Sequence, residues 1–160
     1  MHNVLERGLV GAVAGALATV PMTAALAIAK GTGFLGEPPP KKLTRRFLML
    51  LGSRPDDTTL NVATTLAHFG YGATTGAVFS LLPRPARNPI GGMAFGVAVW
   101  ATSYLGWIPK LGLMRYPSKD RPGRPTSMIV AHLVFGAALG ALVAFSQRRC
   151  GDAPPTQGDI

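Results

Sequence analysis

Charge is missing from most of this chain. Across Gly8–Ala29, Asn61–Leu82, Ile90–Pro109 and Ser127–Ser146 there is not one Lys, Arg, Asp or Glu. Charged residues make up 14% of the whole, against about 25% in an ordinary soluble domain. A surface helix of a soluble protein keeps a charged stripe toward water, and none of these stretches has one. They run for 22, 22, 20 and 20 residues. Crossing a hydrocarbon core about 30 Å thick takes about 20 residues at about 1.5 Å each. In lipid the backbone must satisfy itself within the segment, which makes each stretch a helix. Alternating strands of about ten residues, the mark of a membrane barrel, are missing too.

Acid is scarce as well: 7 Asp and Glu stand against 16 Lys and Arg. All seven lie in loops or termini, so no paired carboxylates sit inside a span. A Ser/His/Asp set and a phosphate-cradling glycine loop are also lacking, so the chain reads as having no catalytic chemistry. Asp56 and Asp57, with Thr58 and Thr59, suit N-cap oxygens for the second helix, and Thr126 and Ser127 do the same for the fourth. A single cysteine, Cys150, excludes an intrachain disulfide and a cysteine metal cluster. It follows Arg148 and Arg149 just past the last apolar run, where lipidation is one use of a thiol and an incidental position is the reading adopted. No metal is expected.

The net charge of +9 and pI near 10.7 raise nucleic acid as a partner. That would require a basic face interleaved with stacking groups. Here the cations fall in short blocks between apolar runs, so the expected partner is a lipid bilayer with anionic headgroups, and not nucleic acid.

The first run resembles a signal peptide in having Arg7 before it and Ala25-Leu26-Ala27 near its end. Signal cores usually span about 7–15 residues, and this one is longer, so a retained helix is expected. Pro21 inside it is tolerated as a kink. Tyr104 and Trp107 suit an interfacial aromatic belt near Pro109 and Lys110.

Basic residues near spans stay cytoplasmic. The two long loops carry Lys30, Lys41, Lys42, Arg45, Arg46, Arg54, Lys110, Arg115, Lys119, Arg121 and Arg124. The opposite side, with both termini and the Pro83–Pro89 turn, carries Arg7, Arg84, Arg87, Arg148 and Arg149. The long loops are therefore placed in the cytoplasm of a bacterial inner membrane and the termini outside. Within the first loop, residues 41–52 put Leu43, Phe47, Leu50 and Leu51 on one helical face. Lys42, Arg45 and Arg46 lie on the other. This is a short amphipathic interfacial helix, with Lys41, Lys42, Arg45 and Arg46 contacting headgroups. A re-entrant or bundle-packing segment is the alternative. Leu111–Tyr116 reads as a reduced version of the same element.

A repeat links the second and fourth runs. Residues 67–77 (AHFGYGATTGA) and 131–141 (AHLVFGAALGA) are identical at six of eleven positions, and Tyr71 matches Phe135. The first and third runs share Gly11/Gly15 and Gly92/Gly96. The expected fold is all-α: four transmembrane helices as two tandem, pseudo-symmetric helical hairpins, spanning 8–82 and 90–146, with a polar, flexible tail at 147–160. Parallel repeats of this kind are related by an axis along the membrane normal. Positions four apart share a helix face. His68, Gly72, Gly76 and Ser80 thus form one stripe, and His132, Gly136, Gly140 and Ala144 its partner, where small residues let helices approach closely.

The Gly8-Leu9-Val10-Gly11 opening with Pro21-Met22-Thr23, the basic 43–52 segment and the closing run 131–137 resemble the YagU-like family of small bacterial inner-membrane proteins. The resemblance covers most of residues 8–146. It implies a bacterial cytoplasmic membrane and brings no established activity with it.

His68 and His132 are the groups inside the runs that titrate near neutral pH. The reading adopted is structural, with Thr64, Thr65, Thr74, Thr102 or Ser103 as hydrogen-bond partners on neighbouring helices. Two sharper readings stand beside it: bis-histidine ligation of a b-type haem seated against the glycine stripe, and a proton or small-solute pathway using imidazole titration. No cofactor is expected on the first reading. A structural or accessory role follows, as a homo-oligomer or a subunit of a membrane assembly. A reporter fused to the C-terminus should read as non-cytoplasmic; a cytoplasmic signal overturns the orientation.

Overall fold

Helices account for all the regular structure in the computed structural model, which describes residues 3–33, 35, 38–120 and 122–151. α1 (Val4–Gly31) opens with a reciprocal cap. The Glu6 amide donates to Asn3 Oδ1 at 2.8 Å, and the Asn3 amide donates to the Glu6 carboxylate at 3.2 Å. α1 runs on through Pro21. α2 (Pro39–Leu50) starts on prolines, which supply the helical φ and lack an N–H that would be orphaned there.

α3 (Asp57–Leu81) is capped by Asp56, whose carboxylate accepts the Thr59 amide at 2.7 Å. That bond holds the Asp56 carboxyl below its ordinary value. The cap's contribution is therefore complete above the ordinary carboxylate value and is lost as pH falls through the lowered one. At the far end of α3, Arg7 donates to the Ser80 carbonyl at 2.9 Å and Arg87 to the same oxygen at 3.3 Å. Two cations thus satisfy a helix C-terminus.

The third apolar run is one helical passage of mixed pitch. α4 (Pro89–Trp100), capped by Asn88 on the Gly91 amide at 3.0 Å, leads into a π-helical stretch at Ala101–Trp107 and then α5 (Ile108–Lys110). Gly106, with φ −100° and ψ −107°, takes up the irregularity. A π turn inserts a residue into the helical register and re-aims the side chains that follow. It removes Tyr104 from the expected interfacial belt: the ring is 0% exposed. Trp107 is 40% exposed.

α6 (Arg124–Gly151) begins before the expected Thr126 and Ser127 caps, which lie in its first turns. The Ser127 hydroxyl donates back to the Gly123 carbonyl at 2.9 Å. Residues 147–151 continue this helix and are no separate tail; 152–160 and the Cys150 side chain lie outside the described residues. Leu111–Tyr116 is not a second amphipathic helix. It turns at Gly112 (φ +69°) and tucks Leu113 and Met114 into the interior.

α1 packs against α3 and α6, α4 against α6, and α2 against α3. The centre is where α1 meets α6: Ala14, Ala18, Met22 and Leu26 of α1 with Ala131, Phe135, Leu139 and Val143 of α6, joined by Phe79. Within each pair the backbones come nearly to contact. A Cβ built at Gly15 would overlap the Gly72 carbonyl, and one at Gly92 the Gly136 carbonyl. Gly76 meets Gly11 in the same way, Gly140 meets Asn88, and Gly96 meets the His132 carbonyl.

Two helices, Val4–Gly31 and Arg124–Arg149, are long and apolar enough to cross a membrane, and only 33% and 44% of their apolar windows are buried within the protein. α3 is of comparable length at 25 residues but carries Asn61, several threonines and His68. Large apolar side chains face outward along the bundle, among them Leu9 (59% exposed), Leu66 (69%) and Ile90 (80%).

The glycine contacts give a direct test. Gly15→Ala and Gly72→Ala should each lower the thermal stability of the purified protein by about 1–3 kcal/mol through overpacking. Gly70→Ala, where an added Cβ meets nothing within 4 Å, should leave it unchanged or slightly higher.

Candidate functional site

Toward the α2 end the two helix pairs part, and a cavity of about 130 Å³ opens between them. The widened π turn places Trp100, Ser103, Tyr104 and Trp107 on its wall. α2 covers it with Pro39, Pro40 and Leu43, and α1, α3 and α6 supply Met22, Tyr71 and Phe135. The remaining lining is mainly apolar, and among the described residues no carboxylate is part of it.

His68 and His132 both line this cavity, in unlike states. Nδ1 of His132 lies 2.8 Å from the Met128 carbonyl. A carbonyl only accepts, so Nδ1 carries a proton, and in the neutral ring Nε2 is left with a lone pair. His68 stands edge-on to Phe69, with centroids 6.3 Å apart. Its Nε2 is buried without a hydrogen-bond partner, and so is the Trp100 indole nitrogen. Leaving such a group unpaired costs about 1–3 kcal/mol, so these two atoms mark where a polar group of a guest would be stabilised.

None of the five expected hydroxyl partners serves an imidazole. Thr65, Thr74 and Thr102 donate to the carbonyls of Asn61, Gly70 and Ala98 in their own helices. This is the usual back-bonding of a helical hydroxyl. Thr64 Oγ1 has no partner. Ser103 pairs instead with the Tyr71 hydroxyl at 2.8 Å, tying α3 to the π turn.

The glycines of the proposed stripes, Gly11, Gly15, Gly72, Gly76, Gly92, Gly96, Gly136 and Gly140, are filled by helix backbones or by Thr19 and Ser80. Space for a flat macrocycle is therefore not held open by them. Among the described residues no group of three or more His, Cys, Asp or Glu is arranged to hold a metal ion.

The four loop cations separate. Lys41 pairs with Asp57 at 3.6 Å and fastens α2 to the start of α3. Arg46 donates to the Gly112 carbonyl at 2.7 Å and joins α2 to the turn before α6. Lys42 and Arg46 face Arg115, Lys119, Asp120 and Arg124 across a second, polar hollow, and Arg45 is half-buried. On the apolar side of α2 only Leu43 reaches the core. Phe47, Leu50 and Leu51 are 52%, 70% and 67% exposed.

Sequence reasoning missed the cluster of Tyr104, Asp120 and Arg124. The Tyr104 hydroxyl donates to Asp120 at 2.5 Å, and Asp120 lies 3.5 Å from Arg124. The i, i+4 spacing of Asp120 and Arg124 was the only signal in the chain. No family model, curated protein or solved structure matches the chain.

The Tyr71–Ser103 bond should register in a double-mutant cycle. Tyr71→Phe and Ser103→Ala are expected to couple by about 1 kcal/mol in unfolding free energy; independent effects would mean that the hydroxyls do not pair.

Proposed function

We propose that this chain is a bacterial inner-membrane protein of four spans, without catalytic chemistry of its own, that binds a small, largely apolar molecule in the cavity between two helical hairpins. The observation that carries the reading is the cavity itself. It is mostly apolar, it draws on both helix pairs, and two buried donor or acceptor atoms, His68 Nε2 and Trp100 Nε1, lie in its lining residues unpaired. A concave apolar site with a few convergent polar groups is the common form of a small-molecule site.

Lipid as the solvent is supported by the outward apolar faces of all four long passages, which a soluble protein would have to cover. The two-hairpin arrangement is supported by matching contacts. Gly15 on Gly72 corresponds to Gly92 on Gly136, and Gly11 on Gly76 corresponds to Asn88 on Gly140. In this register Gly92 is the counterpart of Gly15, and Gly96 that of Thr19, one turn away from the pairing of like motifs. The orientation with basic loops in the cytoplasm, the interfacial seat of α2 and kinship with the YagU-like group complete the proposal.

Binding is preferred to permeation. A proton route needs successive polar groups, whereas Met22, Leu26, Val99, Ile108 and Phe135 dominate the walls. It is preferred to haem because helix backbones occupy the glycine stripes. Both tryptophans of the chain line the cavity, so its occupancy is open to measurement. A short brominated alkanol should quench the fluorescence of the detergent-purified protein saturably. Val99→Phe, which fills the cavity, should abolish the effect, and His68→Leu should weaken it about tenfold, the worth of one hydrogen bond. Quenching that rises without saturation and ignores both substitutions sinks the binding site. Proton flux into proteoliposomes that vanishes in His68→Leu would favour permeation instead. Release from vesicles by alkaline carbonate would sink the membrane assignment.

A further inference from the structure

The polar hollow beside α2 is built differently from a solvated basic loop. Lys42 and Arg46 enter it from α2, and Arg115, Lys119, Asp120 and Arg124 from the segment that leads into α6. Among the described residues, five cations and one carboxylate share a space of about 430 Å³.

Loop cations normally point apart into water, because like charges gathered in one place repel. Here two of them are held in place. Arg46 is fixed by its bond to the Gly112 carbonyl. Arg124 is only 5% exposed, and the Tyr104–Asp120 bond braces the carboxylate that lies beside it.

Asp120 does not use up the Arg124 guanidinium. It approaches Nε at 3.5 Å, beyond good hydrogen-bond distance, and both Nε and Nη1 are buried without a hydrogen-bond partner. A buried guanidinium with unused planar donors, ringed by four further cations, is the arrangement that recognises a multiply charged tetrahedral oxyanion. Arginine offers paired N–H groups to it and lysine a point charge.

We propose that this hollow is a phosphate-binding site, specific for a phosphomonoester or inorganic phosphate dianion, with Arg124 as its buried anchor and Arg115 and Lys119 as its outer wall. It is separate from the histidine cavity and does not depend on that cavity's occupant. The phosphate belongs either to a lipid headgroup such as phosphatidic acid or to a soluble species, and both present the same group. α2 and the turn before α6 meet through Arg46, so the bound anion bridges the two basic loops.

The full-length protein in detergent, titrated by calorimetry with inorganic phosphate and with glycerol phosphate, tests the soluble source. Nanodiscs of phosphatidylcholine with and without phosphatidic acid, read by retention of the lipid after purification, test the headgroup source. The double variant Arg115→Gln/Lys119→Gln changes only exposed side chains and should weaken binding at least tenfold. Arg124→Gln should abolish it, and Arg148→Gln should leave it unchanged. Binding of phosphate or phosphatidic acid with this dependence supports the site and names its source. The proposal is overturned if neither phosphate source binds. It is equally overturned if sulfate binds as tightly as phosphate, or if Arg148→Gln weakens binding as much as Arg115→Gln/Lys119→Gln. None of these outcomes bears on tryptophan quenching in the cavity, so the two readings fail separately.

Discussion

The near-contact of helix backbones, α1 on α3 and α4 on α6, is the constraint on which the remaining structure depends. Helices this close associate through backbone packing and through hydrogen bonds across the interface. Glycine supplies the closeness. Gly15 and Gly76 leave no room for a methyl group between α1 and α3, and Gly92 and Gly136 leave none between α4 and α6. With each pair locked, the larger side chains of α1 and α6 are left to form the seam between pairs. There Ala18, Met22, Phe135 and Leu139 meet.

The same constraint explains where the cavity lies. The glycine contacts occupy the half of the bundle that holds the start of α1 and the end of α6, ending at Ser80 and Asn88. Arg7 and Arg87 there both donate to the Ser80 carbonyl near the end of α3. Toward the basic loops the small residues give way to Trp100, Tyr104, Tyr71 and Phe135, which hold the pairs apart. The π turn adds the extra residue that turns Ser103 and Tyr104 inward. A bundle tight at one end and propped open by aromatics at the other leaves a pocket in between. α2 closes it because Lys41 and Arg46 fasten α2 to α3 and to the turn before α6.

Local signals were read well where a single segment contains all the physics. The length of the uncharged runs marks the long helices. Asp56 caps α3 because its carboxylate needs only the amide three residues on. The face of α2 that carries Phe47 and Leu50 follows from helical periodicity alone. Local reading failed where a side chain chooses between near and distant partners. Thr65 and Thr102 turned to their own helices and not to a histidine, because the carbonyl one turn back is always within reach. The neighbours Trp107 and Lys110 suggest an interfacial Tyr104, yet the π turn and Asp120 hold it inside. Gly92 and Gly96 match Gly11 and Gly15 by motif, but backbone contact shifts the register by a turn.

By itself the sequence determined that the chain is helical, that two of its helices, α1 and α6, are long and apolar enough to cross a membrane, and that α3 and α6 share a histidine and a glycine stripe. Those properties follow from composition and period, which need no knowledge of neighbours. Only the tertiary structure decided that His68 and His132 line one cavity, that one imidazole is satisfied by its own backbone while the other is not, and that Arg124 is buried among four other cations. Such pairings join residues tens of positions apart, through helix register and a π turn, and nothing in the linear order encodes the angle at which the helices meet.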